Sequence, residues 1–366
     1  MSETGRDGVV PSQELRRLIA AGAIRAEPAV EPGQVQPASL DLRLGRRAWR
    51  VRASFLPGAR TVEARLGDFA MHEIDLAGGA VLETGCAYVV ELAETLALPA
   101  DVAGAANAKS STGRLDLLTR VVADGASGFD RVPAGYRGPL YAQISPCTFS
   151  VLVRPGTTLC QLRLRRGEPT LDDAALEALD AAEGLVDRPA SIDGGLGFSV
   201  DLSGEDTTGG VVGWRARRHA ALIDLARIGH YEVEAFWEPM RASRSCGLIL
   251  DPGAFYILVS REAVSVPPTH AAEMIPYLAV AGEFRVHYAG FFDPGFGHAA
   301  SGGRASRGVL EVRCHEAPFA IEHGQPVGRL VYEAMAERPD VLYGQGIGSN
   351  YQGQALKLSK HFRAPA

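Results

Sequence analysis

The sequence predicts a mainly β protein made of two tandem homologous domains with a few short helices. Its apolar runs are short and rich in Val, Leu and Tyr, as in AYVVELAETLALP and FYILVSREAVSVP. These runs are separated by the 42 glycines and 22 prolines of the 366-residue chain, which is typical of strands joined by turns. The order of motifs in the first half recurs in the second half, which predicts a duplication.

The repeat is clearest where residues 82–103 align with residues 250–271, an offset of 168 residues. Within this stretch six positions are identical between the copies: Leu82/Leu250, Gly85/Gly253, Tyr88/Tyr256, Glu94/Glu262, Pro99/Pro267 and Ala103/Ala271. Other segments echo each other in the same order, namely 146–164 with 317–332 and 37–45 with 196–204. We therefore predict an N-terminal domain over 1–168, a helical linker over 169–190 and a C-terminal domain over 191–366.

Helical periodicity is confined to three segments. They are SQELRRLIAAG at 12–22, DDAALEALDAAEGL at 172–185 and ARRHAALIDLARIG at 216–229. The sequence predicts a short helix in each, the second of them within the linker.

Charge and cysteine content restrict the functions that fit the chain. With 37 Lys and Arg against 43 Asp and Glu, the net charge of −6 argues against binding to nucleic acid polymers or anionic membranes. No apolar run approaches the roughly 18 residues of a membrane span, and MSETGRDGVV lacks the apolar core of a signal peptide. The five scattered cysteines favour a reducing compartment, so we expect a cytoplasmic protein without disulfides.

Several catalytic motifs are missing from the sequence. A zinc deaminase needs H-x-E followed by P-C-x-x-C, and no P-C-x-x-C pair occurs here to supply the two thiolates. The Walker phosphate loop and the G-x-S-x-G nucleophile elbow are missing as well. The sequence therefore predicts no zinc site and no protein-ligated catalytic metal.

The first copy carries a cationic, hydroxyl-rich turn that the second copy lacks. In AANAKSSTGRLD, Lys109, Ser110, Ser111 and Arg114 place two cations and two hydroxyls within six residues, a combination suited to binding an anion. A solvated Ser/Thr turn would look the same in the sequence. The corresponding stretch of the second copy, AEMIPYLAVAGE, has lost these hydroxyls and cations.

The opposite asymmetry concerns a carboxylate. The second copy has Glu311 between Leu310 and Val312 where the first copy has Gln143. A single Glu on a strand often faces solvent, which is the simpler interpretation. A Glu that is replaced by its uncharged amide in the other copy instead indicates one retained site and one lost site, and desolvation on such a strand would raise the pKa of Glu311.

These residues resemble a known family. KSSTGR is similar to the R-S-S-x-x-R motif of the dCTP deaminases, the zinc-independent branch of the trimeric dUTPase superfamily. Three further segments resemble that family in order: QVQPASLDLRLG, AGFFDPGF followed by GVLEV, and NYQGQALKLSK. The resemblance implies two dUTPase-like domains, each a distorted β-barrel or jelly roll. Neither copy holds all the motifs, because the Ser/Arg motif lies in the first and the glutamate and tail lie in the second.

The resemblance implies hydrolytic deamination of dCTP to dUTP and ammonia, feeding dUMP and dTTP synthesis, at a composite site between the two domains. In single-domain relatives one protomer supplies the Ser/Arg motif and its neighbour the glutamate and tail. Glu311 would then be the general base and acid, while Ser110 and Arg114 would orient the water and stabilise the developing charge. The site would form within one chain or between chains, and we expect a homo-oligomer.

The same resemblance implies the residues that bind the substrate. Lys109, Ser111 and Arg114 would face the triphosphate, Ala289 would read the cytosine edge, and Asp293 and Phe296 would lie at the sugar, although a core-packing role for Phe296 is as good an interpretation. The Gly-rich tail would close over the phosphates with four side chains: Tyr351, Gln352, Gln354 and Lys357. Asn350 stands where the family has a lysine, and Lys357 or Lys360 would compensate. Mg²⁺ is expected only as the counter-ion of the triphosphate.

Two alternatives remain open at this point. One is a bifunctional dCTP deaminase and dUTPase that continues to dUMP, or a plain dUTP diphosphatase. The other is a nucleotide-binding protein without turnover. For the dCTP deaminase that the resemblance implies, dTTP or dUTP is expected as a regulator or a product.

Overall fold

The computed structural model describes residues 6–205, 208–243, 247–276, 284–287, 290–314, 316–345 and 351–363. Within these ranges the chain is mainly β with a few short helices, which confirms the predicted fold class. The chain divides into two compact units. The first unit comprises Met1–Pro169, Ala221–Ile228 and Met335–Val341, and the second comprises Thr170–Ala220, Gly229–Ala334 and Leu342–Ala366.

The first unit contains twelve strands and three helices before residue 170. The strands are β1 (Gly8–Val9), β2 (Ile24–Ala26), β3 (Leu40–Val51), β4 (Ala70–Asp75), β5 (Ala80–Leu82), β6 (Ala87–Ala97), β7 (Val102–Ala108), β8 (Leu117–Ala123), β9 (Arg131–Val132), β10 (Arg137–Pro146), β11 (Val151–Val153) and β12 (Thr158–Arg166). The helices are α1 (Ser12–Ala20), α2 (Val62–Phe69) and α3 (Ser110–Gly113).

The remaining described residues form a further helix and twelve further strands. The helix is α4 (Asp173–Glu183). The strands are β13 (Leu196–Ser199), β14 (Val211–Ala216), β15 (Ile223–Asp224), β16 (Trp237–Arg241), β17 (Gly247–Leu250), β18 (Phe255–Val264), β19 (His270–Pro276), β20 (Phe284–His287), β21 (Phe291–Phe292), β22 (Ser306–Cys314), β23 (Phe319–Glu322) and β24 (Pro326–Ala334).

The long strand β3 organises the first unit. Its beginning pairs with β12 and its end pairs with β6, so that one ten-stranded sheet runs in the order β8-β10-β6-β3-β12-β7-β9, with β1, β2 and β4 at its sides. A second, three-stranded sheet has the order β15-β11-β5. Alternation of apolar and polar residues along β6 buries one face of the sheet, as expected for a half-buried strand.

The second unit repeats this arrangement with one interruption. Separate strands β13 and β14 replace the single β3, and its described strands accordingly form sheets β13-β24-β19-β21 and β16-β14-β18-β22-β20, with a small sheet β17-β23. The repeat keeps the register: Val89 lies opposite Gln143, and Ile257, 168 residues further on, lies opposite Glu311. The internal duplication is therefore visible strand by strand.

The positions that are identical in the two copies make the same hydrogen bonds. The hydroxyl of Tyr88 accepts from Glu83 N at 3.1 Å, and that of Tyr256 accepts from Asp251 N at 2.9 Å. The buried carboxylate of Glu94 likewise accepts a backbone N–H from β3 at 2.8 Å, as Glu262 does from β13 at 2.7 Å. These shared residues stabilise the fold, which leaves the positions that differ between the copies as candidates for function.

Two of the three predicted helices are present, as α1 and α4. The side chain of Asp172 caps α4 by accepting from Ala175 N at 2.8 Å, and Gly184 ends it in the left-handed conformation. The helix predicted at 216–229 is wrong. This segment leaves β14 at Ala216 and forms β15, because Ile223 N donates to Ser150 O at 3.1 Å and strand pairing replaces the local helix bonds.

Candidate active site

The Ser/Arg motif forms a single helical turn at the end of β7. Lys109 N donates to Leu159 O on β12 at 2.9 Å, which fixes the start of the turn on the sheet. Lys109 O then accepts from Thr112 N at 2.8 Å, and Ser110 O accepts from Arg114 N at 3.1 Å. Ser111 and Arg114 are buried, whereas Lys109 and Ser110 are half-buried and are the members of the motif most open to a ligand.

Lys109 is held by an ion pair that sequence reasoning missed. Its Nζ contacts Asp41 Oδ2 on β3, and the two side chains are 21% and 9% exposed. Asp41 O accepts from Gln34 Nε2 at 2.8 Å, and Gln34 in turn donates to the buried Glu94 at 2.9 Å. Asp41 belongs to the QPASLDLRLG segment, so this segment fixes the orientation of the motif's first cation.

The other end of the turn is fixed by Asp116. This residue is buried and takes a positive φ of 54°, which few residues other than glycine, Asn and Asp adopt at low cost. Thr148 Oγ1 donates to Asp116 Oδ2 at 2.5 Å, and Cys147 N donates to Asp116 O at 2.9 Å. The turn is thus anchored on both sides, and this anchoring holds the backbone that carries Arg114 in place.

Glu311 lies in the middle of β22, between β18 and β20. Its backbone pairs with Ile257 on one side and with His287 on the other. The residue is only 4% exposed, and its neighbours Leu310 and Val312 belong to the core of the second unit. Because so little of Glu311 is exposed, the interpretation that it lies on the solvent face of its strand is wrong. A carboxylate is rarely buried unless it is paired or hydrogen-bonded.

Gln143, the counterpart of Glu311 in the first unit, has a different role. Its amide bonds with Ser54 Oγ and Phe55 O, and its Oε1 accepts from Phe55 N at 3.3 Å. The ring of Phe55 stacks on Phe69 of α2 with centroids 5.1 Å apart, in a cluster that includes Tyr141. Both ends of the Gln143 amide are engaged by the chain itself, so this position serves the fold of the first unit.

The residues predicted to contact the nucleoside lie in and beside the turn after β21. Asp293 and Phe296 are both buried, and Phe296 N donates to Asp293 O at 3.0 Å. The Phe296 ring packs edge-on against Phe292 at 4.9 Å and lies 5.6 Å from Tyr343, which makes it a core residue of the second unit. Ala289, the predicted reader of the cytosine edge, lies outside the described residues.

The described tail residues lie along the start of β22 and the loop before it. Gln354 Nε2 donates to Arg307 O at 3.1 Å, and Lys357 Nζ lies 5.6 Å from the centre of the Tyr351 ring. Gln352 bonds to the loop after β21, with distances of 3.1–3.3 Å. Gly346, Gly348 and Asn350 lie outside the described residues.

A second buried polar group, which the sequence did not reveal, begins next to the tail. Arg307 Nη1 contacts Asp201 Oδ2, whose other oxygen accepts from Ser203 N at 2.9 Å and Ser203 Oγ at 2.7 Å. Burial would raise the pKa of Asp201, but the hydrogen bonds from Ser203 and Arg307 outweigh it and lower the pKa below its ordinary value. His323 Nδ1 lies 3.4 Å from Asp201 Oδ1.

Among the described residues no group of three or more His, Cys, Asp or Glu side chains is arranged to hold a metal ion. A search of the same residues for a helix long and apolar enough to cross a membrane found none.

The chain holds two copies of one β fold. The first copy has a cationic Ser/Arg turn and the second has a buried strand glutamate. This combination defines a duplicated protein of the dUTPase-like class. Two family models agree with this. The model of the 2'-deoxycytidine 5'-triphosphate deaminase N-terminal domain matches residues 6–168, and that of the C-terminal domain matches residues 172–362. The chain therefore belongs to the dCTP deaminase family, as its motifs predicted.

Individual proteins show the same relationship. The chain is 34% identical over 171 residues to a "dCTP deaminase, dUMP-forming" of Parafrankia sp., which covers 43% of this chain and 76% of the relative. A "dCTP deaminase" of Natronomonas pharaonis is 28% identical over 158 residues, covering 42% and 78%. The crystal structure of 2'-deoxycytidine 5'-triphosphate deaminase from Agrobacterium tumefaciens superposes with a TM-score of 0.87 at 52% identity, covering 92% of this chain and 100% of that one.

Proposed function

We propose that this protein deaminates dCTP hydrolytically, with Glu311 as the proton shuttle. The observation that carries the proposal is the contrast between two equivalent strand positions. Glu311 is buried on β22 of the second unit, whereas the amide of Gln143 in the first unit is engaged by Ser54 and Phe55. A titratable group is kept in one copy only, which is expected if that copy alone supplies the general base.

In the proposed reaction water adds to C4 of the cytosine and ammonia leaves. Glu311 takes a proton from the attacking water, and protons then pass to N3 and to the departing nitrogen, so that dCTP and water give dUTP and ammonia. Glu311 must both accept a proton and return it, and its burial shields the carboxyl group from bulk water while it does so.

The Ser/Arg motif of the first unit supplies the polar half of this site. Ser110 and Arg114 orient the water and stabilise the charge that develops on it, while Lys109, Ser111 and Arg114 face the triphosphate. The anchoring of this turn by Asp41 and Asp116 supports the proposal, because preorganised donors cost no reorganisation during the reaction.

The second unit supplies the nucleoside pocket and the closing segment. Ala289 and its backbone read the cytosine edge, Asp293 lies near the sugar, and Phe296 packs beneath it. Tyr351, Gln354 and Lys357 of the tail approach the phosphates. Mg²⁺ enters with the triphosphate as its counter-ion, and neutralises charge without requiring protein ligands.

The product of the reaction separates two candidate functions. The first candidate releases dUTP, and the second continues to dUMP and pyrophosphate, which the names of the relatives from Parafrankia and Kocuria rhizophila favour. Incubation with dCTP and Mg²⁺, followed by ³¹P NMR, distinguishes the three phosphate signals of dUTP from dUMP plus pyrophosphate. Ammonia release without either product pattern, or no ammonia at all, contradicts the proposal.

Mixing inactive variants tests whether the site combines residues of both units. Arg114→Ala and Glu311→Ala should each be inactive, since each removes one half of every site. If one site takes its halves from two chains, mixing the variants under subunit exchange restores activity. If both halves come from one chain, mixing restores nothing. Arg137→Ala and Glu322→Ala, which are exposed on the same two units, are the matched controls and should remain active. Full activity of Arg114→Ala alone would contradict a composite site.

A further inference from the structure

The turn that carries Asp293 and Phe296 depends on backbone conformations that only glycine adopts easily. Gly295 has φ of 96° and Gly297 has φ of 65°. The carbonyl of Gly295 accepts from His298 N at 3.1 Å, and its N–H donates to Val266 O at 3.0 Å. Two backbone bonds close the turn, from Phe296 N to Asp293 O and from His298 N to Gly295 O, and side-chain contacts from the tail add to them.

Gln352 of the tail supplies those contacts. Its Oε1 accepts from Gly297 N at 3.3 Å, while its Nε2 donates to Gly295 O at 3.3 Å and to Ser301 Oγ at 3.1 Å. The hydroxyl of Ser301 also lies 2.5 Å from Gly295 O. One side-chain amide thus matches a donor and an acceptor of the same turn, on either side of Phe296.

The space around the Gln352 amide is shaped to admit it. A Cβ atom on Gly303 would overlap with Gln352 Nε2, and one on Gly344 would lie 3.1 Å from the same atom. The amide therefore occupies a cradle whose walls are glycine backbone. A side chain that reached out to a phosphate would have to leave this cradle and give up all three hydrogen bonds.

The turn held by Gln352 determines where Asp293 and Phe296 lie. Val266 N donates to Phe296 O at 2.8 Å, and Tyr343 N donates to Pro294 O at 2.8 Å, so the backbone of the turn is also bonded to the segment after β18 and to the segment after β24. Because Gln352 bonds to Gly295 and to Gly297, on either side of Phe296, we expect a change at these contacts to shift the residues that the proposed function places at the sugar.

We propose that Gln352 is a positioning residue for the deoxyribose pocket, in place of the phosphate contact that the family resemblance implies. Docking of its amide into the glycine cradle sets the shape of the Asp293–Phe296 turn and couples the tail to discrimination between deoxyribose and ribose. This role rests on the proposed function, because it presumes that the turn binds the sugar of dCTP.

Calorimetric binding of dCTP, dCMP and CTP to Gln352→Ala tests the proposal. Loss of three hydrogen bonds should weaken dCTP and dCMP binding by a similar factor, about 5–30-fold, and should lower the preference for dCTP over CTP at least several-fold. The pH profile of turnover should not move. Gln352→Glu should behave like the alanine variant, since a carboxylate cannot donate to Gly295 O.

The outcomes separate the alternatives. If the loss is confined to dCTP and dCMP binds normally, Gln352 is a phosphate ligand and the proposal is wrong. Gln345→Ala is the matched control, because Gln345 Nε2 reaches the same loop from the same tail, at Ala300 O and 3.0 Å, but is exposed. It should bind all three nucleotides as the wild type does.

A milder variant keeps the test informative if Gln352→Ala does not fold. Ser301→Ala removes one partner of the amide and should change the dCTP to CTP preference in the same direction by a smaller factor. A wild-type protein that binds no deoxycytidine nucleotide refutes the proposed function and this role with it. If the wild type binds dCTP normally and both Gln352→Ala and Ser301→Ala keep its preference for dCTP over CTP, the role of Gln352 is refuted and the proposed function is not.

Discussion

Replacing Gln143 by alanine should destabilise the first unit and leave deamination intact. The substitution removes the bonds to Ser54 Oγ and to both backbone groups of Phe55, and it deletes side-chain atoms at a buried position. A neutral hydrogen bond contributes about 0.5–1.5 kcal/mol, and a buried polar group left without a partner costs about 1–3 kcal/mol. We therefore expect a loss of about 2–4 kcal/mol in the free energy of unfolding of this unit.

Differential scanning calorimetry measures this loss. For a unit of 150–250 residues, 1 kcal/mol corresponds to a shift of about 2–4 °C, so the transition of the first unit should fall by roughly 5–15 °C. The ammonia release rate per folded protein, measured well below that transition, should stay within about twofold of the wild type. The second unit's transition should be unchanged.

Two results would refute this reasoning. An unchanged transition would mean that the contacts of Gln143 with Ser54 and Phe55 do not stabilise the fold. Loss of turnover with an intact fold would mean that the Gln143 position takes part in the reaction, against the division of roles between the copies. Gln161→Ala, on strand β12 of the same sheet, is a control with the same change of side chain and should shift the transition little.

Two further predictions concern buried ion pairs. Asp41→Asn removes the charge that holds Lys109; hydrogen bonds to charged groups contribute about 1.5–3 kcal/mol, so the variant should melt several degrees lower and show a raised KM for dCTP with a smaller change in kcat. An unchanged KM would remove Asp41 from the account of the site. Asp201→Asn should lower the melting temperature, and the difference from the wild type should be largest at pH 6–8. Because the folded pKa of Asp201 is lowered, its stabilisation is present above the ordinary Asp pKa and is lost as the pH falls through the folded value. The difference in melting temperature between the variant and the wild type should therefore shrink below about pH 4. A difference that grows there would contradict the lowered pKa of Asp201.

Much of the fold could be predicted because the duplication presents each strand pattern twice, once in each copy. An offset of 168 residues aligned the strands of both copies, and identical residues such as Glu94 and Glu262 proved to make the same backbone bonds. The contrast between Glu311 and Gln143 could also be found in the sequence, because a carboxylate and an amide of equal size differ in their ability to carry a proton.

The remainder depended on partners distant in the sequence. Gln143 bonds to a residue 88 positions earlier, and Lys109 pairs with Asp41, 68 residues away in the sequence. A local sequence pattern therefore predicts neither contact. The segment 216–229 has helical periodicity, but strand pairing with Ser150 and Val151 overrides that local preference. The tail motif indicated a functional segment without indicating which of its side chains would face the protein.

Turnover and binding by Glu311→Gln test the central claim most directly. The amide keeps the size of the carboxylate but cannot carry a proton, and loss of general acid–base catalysis costs about 10²–10⁴-fold. We predict that ammonia release falls by that factor while the Kd for dCTP, measured by calorimetry, and the melting temperature stay close to the wild-type values. A rate within twofold of the wild type would contradict the assignment of Glu311 as the proton shuttle.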